Sequence, residues 1–306
     1  MMTRRELLKT AGTALALGGL APWATAMAGS LPGIRKTIPA SGESLPVIGM
    51  GTWQTFHVGS GEAERAPLRD VLRVFFDRGG TLIDSSPMYA EAEKVTGDLV
   101  ADIGEHDQLF AATKVWTYGR EEGVAQMERS FSRMRVQQMD LMQIHNLRDW
   151  QVHLPTLRQW QEEGRIRYLG ITTSNPAQHD DFAKVMASEK LDFVQLNYDI
   201  ATRGAEEVLL PLAEERGMAV LVNRPFGGGN LFPKVRGREL PDWAQEFDCA
   251  SWAQFFLKFV VSHPAVTCAI PATSNPRHAA DNMGAGFGRL PDKATRERMA
   301  EYFASL

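Results

Sequence analysis

The feature of this sequence that most constrains its fold is an alternation of short apolar runs with longer segments of helical periodicity. Each run has the length of a buried strand, and the segments between runs repeat their apolar residues every three or four positions. The runs are Val47–Gly51, Thr81–Asp84, Leu109–Val115, Met139–His145, Tyr168–Thr172, Phe193–Tyr198, Ala219–Asn223 and Thr267–Pro271. About eight such units in one chain predict an α/β fold, a closed (β/α)8 TIM barrel. An open doubly wound sheet is the alternative, but no G-x-G-x-x-G motif follows an early strand.

Two further patterns complete the predicted barrel. The predicted helices are Glu62–Arg78, Val124–Met134, Leu154–Glu163, Ala177–Ala187, Glu206–Glu215 and Trp252–Val261. Before the first barrel strand, Ile34–Ile38 and Leu45–Ile48 flank a glycine-containing turn, which predicts an N-terminal β-hairpin. Such a hairpin can plug the amino-terminal end of a barrel. No linker or low-complexity stretch divides residues 29–306, so we expect one barrel domain there.

Charge and cysteine content exclude several classes of protein. The 306 residues carry 33 Lys and Arg against 37 Asp and Glu, a formal net charge of −4, with no basic block, so no nucleic-acid partner is expected. The two cysteines, Cys249 and Cys268, make no disulfide scaffold and are predicted to be free thiols. No His and Cys grouping has metal-ligand spacing, so no metal is predicted. Nothing suggests a partner helix or an exposed apolar stripe, and we expect a monomer.

Residues 1–28 have the pattern of an export signal. Arg4 and Arg5 precede an apolar stretch from Ala11 to Ala21, and Ala26-Met27-Ala28 resembles a cleavage site. The apolar stretch is shorter than the ~20 residues of a bilayer span, so the mature chain is expected to have no stable membrane span. The paired arginines resemble the signal read by the twin-arginine export machinery, which implies a folded, cofactor-bearing protein in the periplasm. The alternative is a vestigial leader on a cytoplasmic protein.

Polar residues interrupt the apolar pattern at the ends of three predicted strands. Asp84 ends one strand, Lys114 lies near the end of the next, and His145 ends the one after it. In a barrel, the carboxyl ends of the strands and the loops after them carry the active site. A buried lysine is costly unless an anion pairs with it, and Asp84 is the candidate anion. Tyr89 lies in the loop that follows Asp84.

The sequence resembles the aldo-keto reductase superfamily from about Leu45 to Asn282. The stretches that carry the resemblance are Ile48-Gly49-Met50-Gly51-Thr52-Trp53, Leu82-Ile83-Asp84-Ser85-Ser86-Pro87-Met88-Tyr89, Ala112-Thr113-Lys114-Val115-Trp116, Asp140-Leu141-Met142-Gln143-Ile144-His145, Arg167-Tyr168-Leu169-Gly170-Ile171-Thr172, Val194-Gln195-Leu196-Asn197-Tyr198 and Ile270-Pro271-Ala272-Thr273-Ser274-Asn275-Pro276. The family uses an Asp, Tyr, Lys and His tetrad. These residue types match Asp84, Tyr89, Lys114 and His145 in order.

The resemblance implies an oxidoreductase that transfers a hydride from NADPH or NADH to an aldehyde or ketone, so the expected partner is a small-molecule carbonyl substrate. The carbonyl oxygen gains negative charge as hydride arrives and needs a proton. Tyr89 is the predicted proton donor, and Lys114 is expected to lower its pKa from about 10. Asp84 would hold Lys114, and His145 would donate a hydrogen bond to the carbonyl oxygen. The alternative is an exported cofactor-binding sensor or redox subunit of the same fold with little turnover.

The resemblance also implies a set of cofactor contacts. They are Gly51, Thr52, Trp53, Thr172, Gln195, Arg224, Phe226, Thr273 and Asn282. Thr172-Thr173 replaces the family's usual Ser-Asn pair, and Ser174-Asn175-Pro176 is interpreted as a helix-start cap. Asn223 stands where an aromatic residue usually stacks on the nicotinamide. Ala272 and His278 stand where the family often has cations for the 2′-phosphate, so the sequence leaves NADP and NAD both open.

The substrate pocket is expected beside the predicted proton donor. Trp53 and Trp116 are candidates for an apolar wall of this pocket. Asn146 follows the fourth predicted strand and is a candidate for its rim. The alternative for each tryptophan is ordinary packing in the core.

Overall fold

Inward-pointing side chains of eight parallel strands form the centre of this fold. The computed structural model describes residues 32–306. The strands are β1 (Arg35–Thr37), β2 (Ser44–Pro46), β3 (Met50–Gly51), β4 (Leu82–Asp84), β5 (Phe110–Val115), β6 (Met139–His145), β7 (Ile166–Thr172), β8 (Phe193–Asn197), β9 (Ala219–Asn223) and β10 (Val266–Ala269). Strands β3 to β10 follow one another in a single parallel sheet, and bridges from Ile48 to Ala269 and from Gly51 to Ala272 close it. The predicted barrel is confirmed.

The amino-terminal hairpin covers the lower end of the barrel, as predicted. Strands β1 and β2 pair antiparallel. Ile38 and Leu45 from the hairpin are buried in one apolar cluster with inward-facing barrel residues such as Phe110. The hydroxyl of Tyr168 on β7 donates to the Ser41 hydroxyl at the hairpin turn, at 2.6 Å. Apolar burial and this bond cover the amino-terminal end of the barrel, opposite the carboxyl ends of the strands.

Helices surround the barrel and bury their apolar faces against it. They are α1 (Glu62–Asp77), α2 (Ala92–Ile103), α3 (Arg120–Met134), α4 (Trp150–Glu162), α5 (His179–Ser188), α6 (Leu209–Glu215), α7 (Phe232–Val235), α8 (Trp252–Val261), α9 (Pro276–Gly284) and α10 (Lys293–Ser305). Helix α8 has the predicted bounds, and its side chains from Phe255 to Val261 are buried. Within residues 32–306, no helix combines the length and apolar character needed to cross a bilayer.

The structure differs from the sequence interpretation in the first barrel strand and in several helices. The predicted first strand Val47–Gly51 shortens to Met50–Gly51, because Ile48 makes only a single bridge to β10. The sequence interpretation gives no bounds for helices α2, α7, α9 and α10. The buried face of α2 carries the polar residues Glu93 and Thr96, so the sequence does not show the regular apolar spacing of an amphipathic helix there. The predicted signal peptide, residues 1–28, lies outside the described residues.

Candidate active site

Four polar side chains meet at the carboxyl ends of β4, β5 and β6. Asp84 and His145 are the last residues of β4 and β6, and Lys114 is next to last on β5. Tyr89 ends a short 3-10 turn that follows β4, and Ser86 caps this turn by accepting the backbone N–H of Met88 at 3.2 Å. Parallel strands end at the same edge, so residues distant in sequence converge here. Their catalytic roles stay predictions.

Lys114 and Asp84 form a buried ion pair below the cavity. Nζ of Lys114 donates to Oδ2 of Asp84 at 2.5 Å and to the Ser85 carbonyl at 2.7 Å. The Lys114 side chain is 0% exposed. Burial works to lower the pKa of Lys114, but its interactions with Asp84 and Tyr89 outweigh burial and raise it. Lys114 is therefore a fixed cation beside the Tyr89 ring, whose centroid lies 5.2 Å from Nζ.

The balance of forces on the Tyr89 hydroxyl differs from the sequence interpretation. Burial raises the pKa of Tyr89 above its usual value of 10.0 and outweighs the lowering by Lys114, while Asp84 adds to the rise. Lys114 lowers the pKa of Tyr89 as expected, but burial outweighs this effect and the net change is a rise. The reason is the depth of the site, which the sequence does not show. A phenol of this kind keeps its proton at neutral pH and is available as a proton donor.

His145 is a neutral imidazole in this site. Burial, with the charges of Lys114 and Arg148, lowers the pKa of His145 to about 2. Its Nδ1 lies 3.0 Å from Oγ of Ser86, and its ring meets that of Tyr89 edge to face with centroids 5.9 Å apart. When the Ser86 hydroxyl donates to Nδ1, the ring proton lies on Nε2. From there it can be donated to a substrate oxygen.

A cavity of about 490 Å³ opens above these residues. This is the size range of pockets for small organic ligands. Its wall contains the predicted catalytic residues Asp84, Tyr89 and His145, while Lys114 lies behind it. The predicted binding residues in its wall are Gly51, Thr52, Trp53, Asn146, Thr172, Gln195, Arg224 and Phe226. The cavity thus unites most of the sequence-predicted site.

Three predicted binding residues lie outside the cavity wall. Thr273 accepts the backbone N–H of Asn275 at 3.1 Å and so belongs to the turn before α9. Asn282 is buried on α9. Trp116 contacts His145 at 6.4 Å between ring centroids, and the Arg148 guanidinium lies 4.2 Å from the centre of the Trp116 ring. Trp116 therefore supports the loop after β6 instead of facing the cavity.

Two backbone segments at the cavity are held in sparsely populated conformations. In the loop after β6, Asn146, Leu147 and Asp149 have φ values of 54°, 54° and 50°. After β9, Arg224 has a φ of 50°, and the run Gly227–Gly229 that follows two residues later also has positive φ at all three positions. Left-handed backbone costs about 1–3 kcal/mol at a non-glycine residue and is concentrated at functional sites in proteins. The segment at Ser174–Pro176 is a cap as predicted, because Asn175 accepts the N–H of Ala177 at 3.1 Å.

Two side-chain oxygens of the cavity residues fit a nicotinamide ligand. Oδ1 of Asn146 and Oδ1 of Asn223 are buried and have no hydrogen-bond partner within residues 32–306. Nδ2 of Asn223 donates to the Thr173 carbonyl at 3.0 Å and to Oε1 of Gln195 at 3.3 Å, so only its oxygen lacks a partner. A buried acceptor without a donor is costly. The amide NH2 of a nicotinamide carboxamide is such a donor.

The sequence assigned no contact to three residues of the site. Ser86 contacts His145, Asn223 presents its amide to Gln195, and Gln143 donates to Asp84 at 2.9 Å. The signal for Gln143 is its place on the inward face of β6, two residues before His145, where a polar residue needs a buried partner. Ser86 and Asn223 give no comparable signal, because their contacts cross between loops and strands far apart in sequence.

Comparisons with known proteins agree with this architecture. Residues 47–298 match the Aldo/keto reductase family. Methylglyoxal reductase YeaE from Escherichia coli (strain K12) is 28% identical over 256 residues, which cover 81% of this chain and 88% of the relative. The solved aldo-keto reductase AKR11C1 from Bacillus halodurans has a TM-score of 0.71 at 18% identity, covering 89% of this chain and 96% of its own. An aldo-keto reductase from Klebsiella pneumoniae in complex with NADPH has a TM-score of 0.71 at 23% identity, covering 88% and 95%. Because the family match extends over most of this chain, the chain belongs to the aldo/keto reductase family.

Proposed function

We propose that this protein reduces an aldehyde or ketone with NADPH or NADH and that Tyr89 donates the proton. The observation that carries the proposal is the buried Lys114–Asp84 pair beneath a protonated Tyr89, with neutral His145 beside it in one cavity. This arrangement supplies a proton and a positive field at one place. Those are the two needs of a carbonyl oxygen that becomes an alkoxide.

Each side chain has a separate part in the proposed reaction. His145 donates a hydrogen bond from Nε2 to the carbonyl oxygen and orients it toward Tyr89. Tyr89 transfers its proton to that oxygen, and Lys114 stabilises the phenolate that remains. Asp84 keeps Lys114 charged and in place. A bound reduced nicotinamide would supply the hydride for the carbonyl carbon.

The cofactor is proposed to lie along Gln195, Asn223 and Arg224. A relative of the same fold is described in complex with NADPH. In this chain the exposed residues Ala272 and His278 replace cations, so discrimination in favour of the 2′-phosphate is expected to be weak. Ala272→Arg is expected to tighten NADPH binding about tenfold and leave NADH binding unchanged. Fluorescence titration of both cofactors checks this, and equal gains for both would contradict it.

The substrate is proposed to be a small carbonyl compound with an apolar body. Trp53 and Met88 are each 42% exposed and Phe232 is 37% exposed, and all three line the cavity. A relative carries the name methylglyoxal reductase, and methylglyoxal is a small aldehyde. We expect turnover to rise from short to longer apolar aldehydes. A panel of aldehydes and ketones with NADPH and NADH tests the reductase function, and no turnover with any member would contradict it.

We also propose that the protein is exported folded through the twin-arginine route and acts in the periplasm as residues 29–306. The support is the order of paired arginines, apolar stretch and small residues within residues 1–28. Fractionation of the full chain is expected to find the protein in the periplasm without residues 1–28. A paired Arg4→Lys and Arg5→Lys variant is expected to remain in the cytoplasm. Export that does not depend on these arginines would contradict the route.

The mature protein is proposed to be a monomer. Of the large apolar side chains that are exposed, Trp53, Met88 and Phe232 belong to the cavity and do not form a separate patch. Light scattering on the purified mature chain is expected to give the mass of one chain. A mass of two chains at every concentration tested would contradict this.

A further inference from the structure

The carboxylate of Asp84 has more partners than the ion pair alone. Lys114 donates to Oδ2, whereas Nε2 of Gln143 and Nε2 of Gln195 both donate to Oδ1, each at 2.9 Å. Gln143 is 0% exposed and does not line the cavity. It therefore does not contact a substrate or cofactor there, and any effect it has on the reaction must pass through its partners Asp84 and Gln195.

The charge of Asp84 fixes the direction of three amide groups. A carboxylate only accepts hydrogen bonds, so Gln143 and Gln195 must both turn their NH2 groups toward it. The second N–H of Gln195 donates to Oε1 of Gln143 at 3.1 Å. Oε1 of Gln195 then accepts from Nδ2 of Asn223 at 3.3 Å. A polarised chain of amides thus runs from Asp84 across β6, β8 and β9.

We propose that Gln143 is a positioning residue for carbonyl reduction: by donating to Oδ1 of Asp84, it keeps Oδ2 directed at Lys114 and screens the Asp84 charge from the Tyr89 hydroxyl. This inference rests on the proposed reductase function. Gln195 makes a similar bond, but it also lines the cavity, so its substitution cannot separate positioning from binding. Gln143 is the member of the set that can be changed without touching the cavity wall.

The expected consequence concerns the acidity of Tyr89. The groups that surround its hydroxyl are Lys114 on β5, Asp84 on β4 and His145 on β6, and His145 is neutral. Asp84 raises the pKa of Tyr89 and Lys114 lowers it. Without the Gln143 amide, the Asp84 charge is less screened from the Tyr89 hydroxyl, and Oδ2 is less firmly directed at Lys114. The phenol then becomes a weaker acid and a slower proton donor.

The variant that tests this is Gln143→Met, which keeps the side-chain length and removes the donor. We expect the single-turnover rate of carbonyl reduction to fall about tenfold, as for loss of one hydrogen bond to a charged group. The alkaline limb of its pH profile is expected to move to higher pH by about half a unit or more. The dissociation constant of the cofactor, measured by fluorescence titration, is expected to stay within about twofold of the parent.

Gln161→Met is the matched control. Nε2 of Gln161 donates to Oδ2 of Asp192 at 2.7 Å, outside the active site. Its substitution removes the same type of bond and is expected to leave the pH profile unchanged. An equal shift in this control would overturn the inference, because the shift would then reflect general loosening of the fold. An unchanged rate and profile in folded Gln143→Met would also overturn it.

Two further measurements keep the outcome decisive. If Gln143→Met does not fold, Gln143→Glu is tested in its place. The protonated carboxyl introduced at position 143 can donate to Asp84, so we expect activity at low pH and loss of activity as this carboxyl ionises. A pH profile equal to that of the parent would overturn the inference. A measurement that does not depend on turnover is NMR of the protein with carbon-13-labelled tyrosine, which reports whether the Tyr89 hydroxyl is protonated. The Tyr89 signal is assigned as the one that Tyr89→Phe removes. Tyr89 is expected to stay protonated to higher pH in Gln143→Met. Absence of turnover in the parent protein would contradict the proposed function, and this NMR readout would still decide the role of Gln143.

Discussion

Lys114 shows how one residue joins stability to chemistry at this site. Its ammonium is fully buried, and within residues 32–306 its one charged partner at hydrogen-bond distance is Asp84, at 2.5 Å. A buried ion pair contributes little net stability, but removal of one partner leaves an uncompensated charge. The role of the pair is therefore to keep a cation below Tyr89. Replacement of either residue alone is expected to destabilise the protein.

Lys114→Met is expected to destabilise the protein by about 3–5 kcal/mol and to remove most of the activity, because Asp84 stays buried without a cation. Addition of Asp84→Asn removes that charge and is expected to restore part of the free energy of unfolding but none of the activity. Urea unfolding and initial rates of both variants check this. Recovery of activity in the double variant would contradict the role of Lys114.

His145 makes stability depend on pH. Its folded pKa of about 2 lies below the ordinary 6.5, so below pH 6.5 the unfolded chain binds a proton that the folded chain does not. Stability due to this residue is therefore lost as the pH falls below 6.5, by about 2 kcal/mol at pH 5. Urea unfolding at pH 7 and pH 5 should show a larger loss for the parent than for His145→Gln. Equal losses would contradict a neutral, buried His145.

Among the helices and strands, those with a regular pattern of apolar residues are the ones whose bounds the sequence predicts. Strands β6 and β9 and helix α8 have the predicted bounds, because apolar residues make up most of each element. The bounds of helix α2 were not predictable, because it buries Glu93 and Thr96, and Glu93 accepts a hydrogen bond from Thr113 at 2.6 Å. Such a contact depends on the position of β5, which the local sequence does not encode.

Helix α2 also makes a close contact that can be tested. A Cβ at Gly97 would lie 2.1 Å from the Arg133 carbonyl oxygen on α3, a backbone atom that cannot move freely. Gly97→Ala is expected to lower the free energy of unfolding by about 3 kcal/mol, the upper range for overpacking. Gly204→Ala is the control, because no atom lies within 4 Å of its Cβ position. Thermal unfolding measures both, and equal effects would contradict the contact.

At the scale of the whole molecule, the barrel explains why the site was largely predictable. Parallel strands end at one edge, so residues that end successive strands must meet there, and Asp84, Lys114 and His145 do. The acidity of Tyr89 and the amide chain from Gln143 to Asn223 were not predictable. The first depends on the depth of burial in the finished fold, and the second on side-chain orientations across strands that are far apart in sequence.

The central claim, that Tyr89 donates the proton, is tested most directly by single-turnover reduction in Tyr89→Phe, with cofactor binding measured by fluorescence on the same preparation. The substitution removes only the hydroxyl and leaves the half-buried ring. We predict that cofactor affinity stays within about twofold of the parent, while the rate of reduction falls at least about a hundredfold. A rate close to that of the parent, with the cofactor bound normally, would contradict the claim.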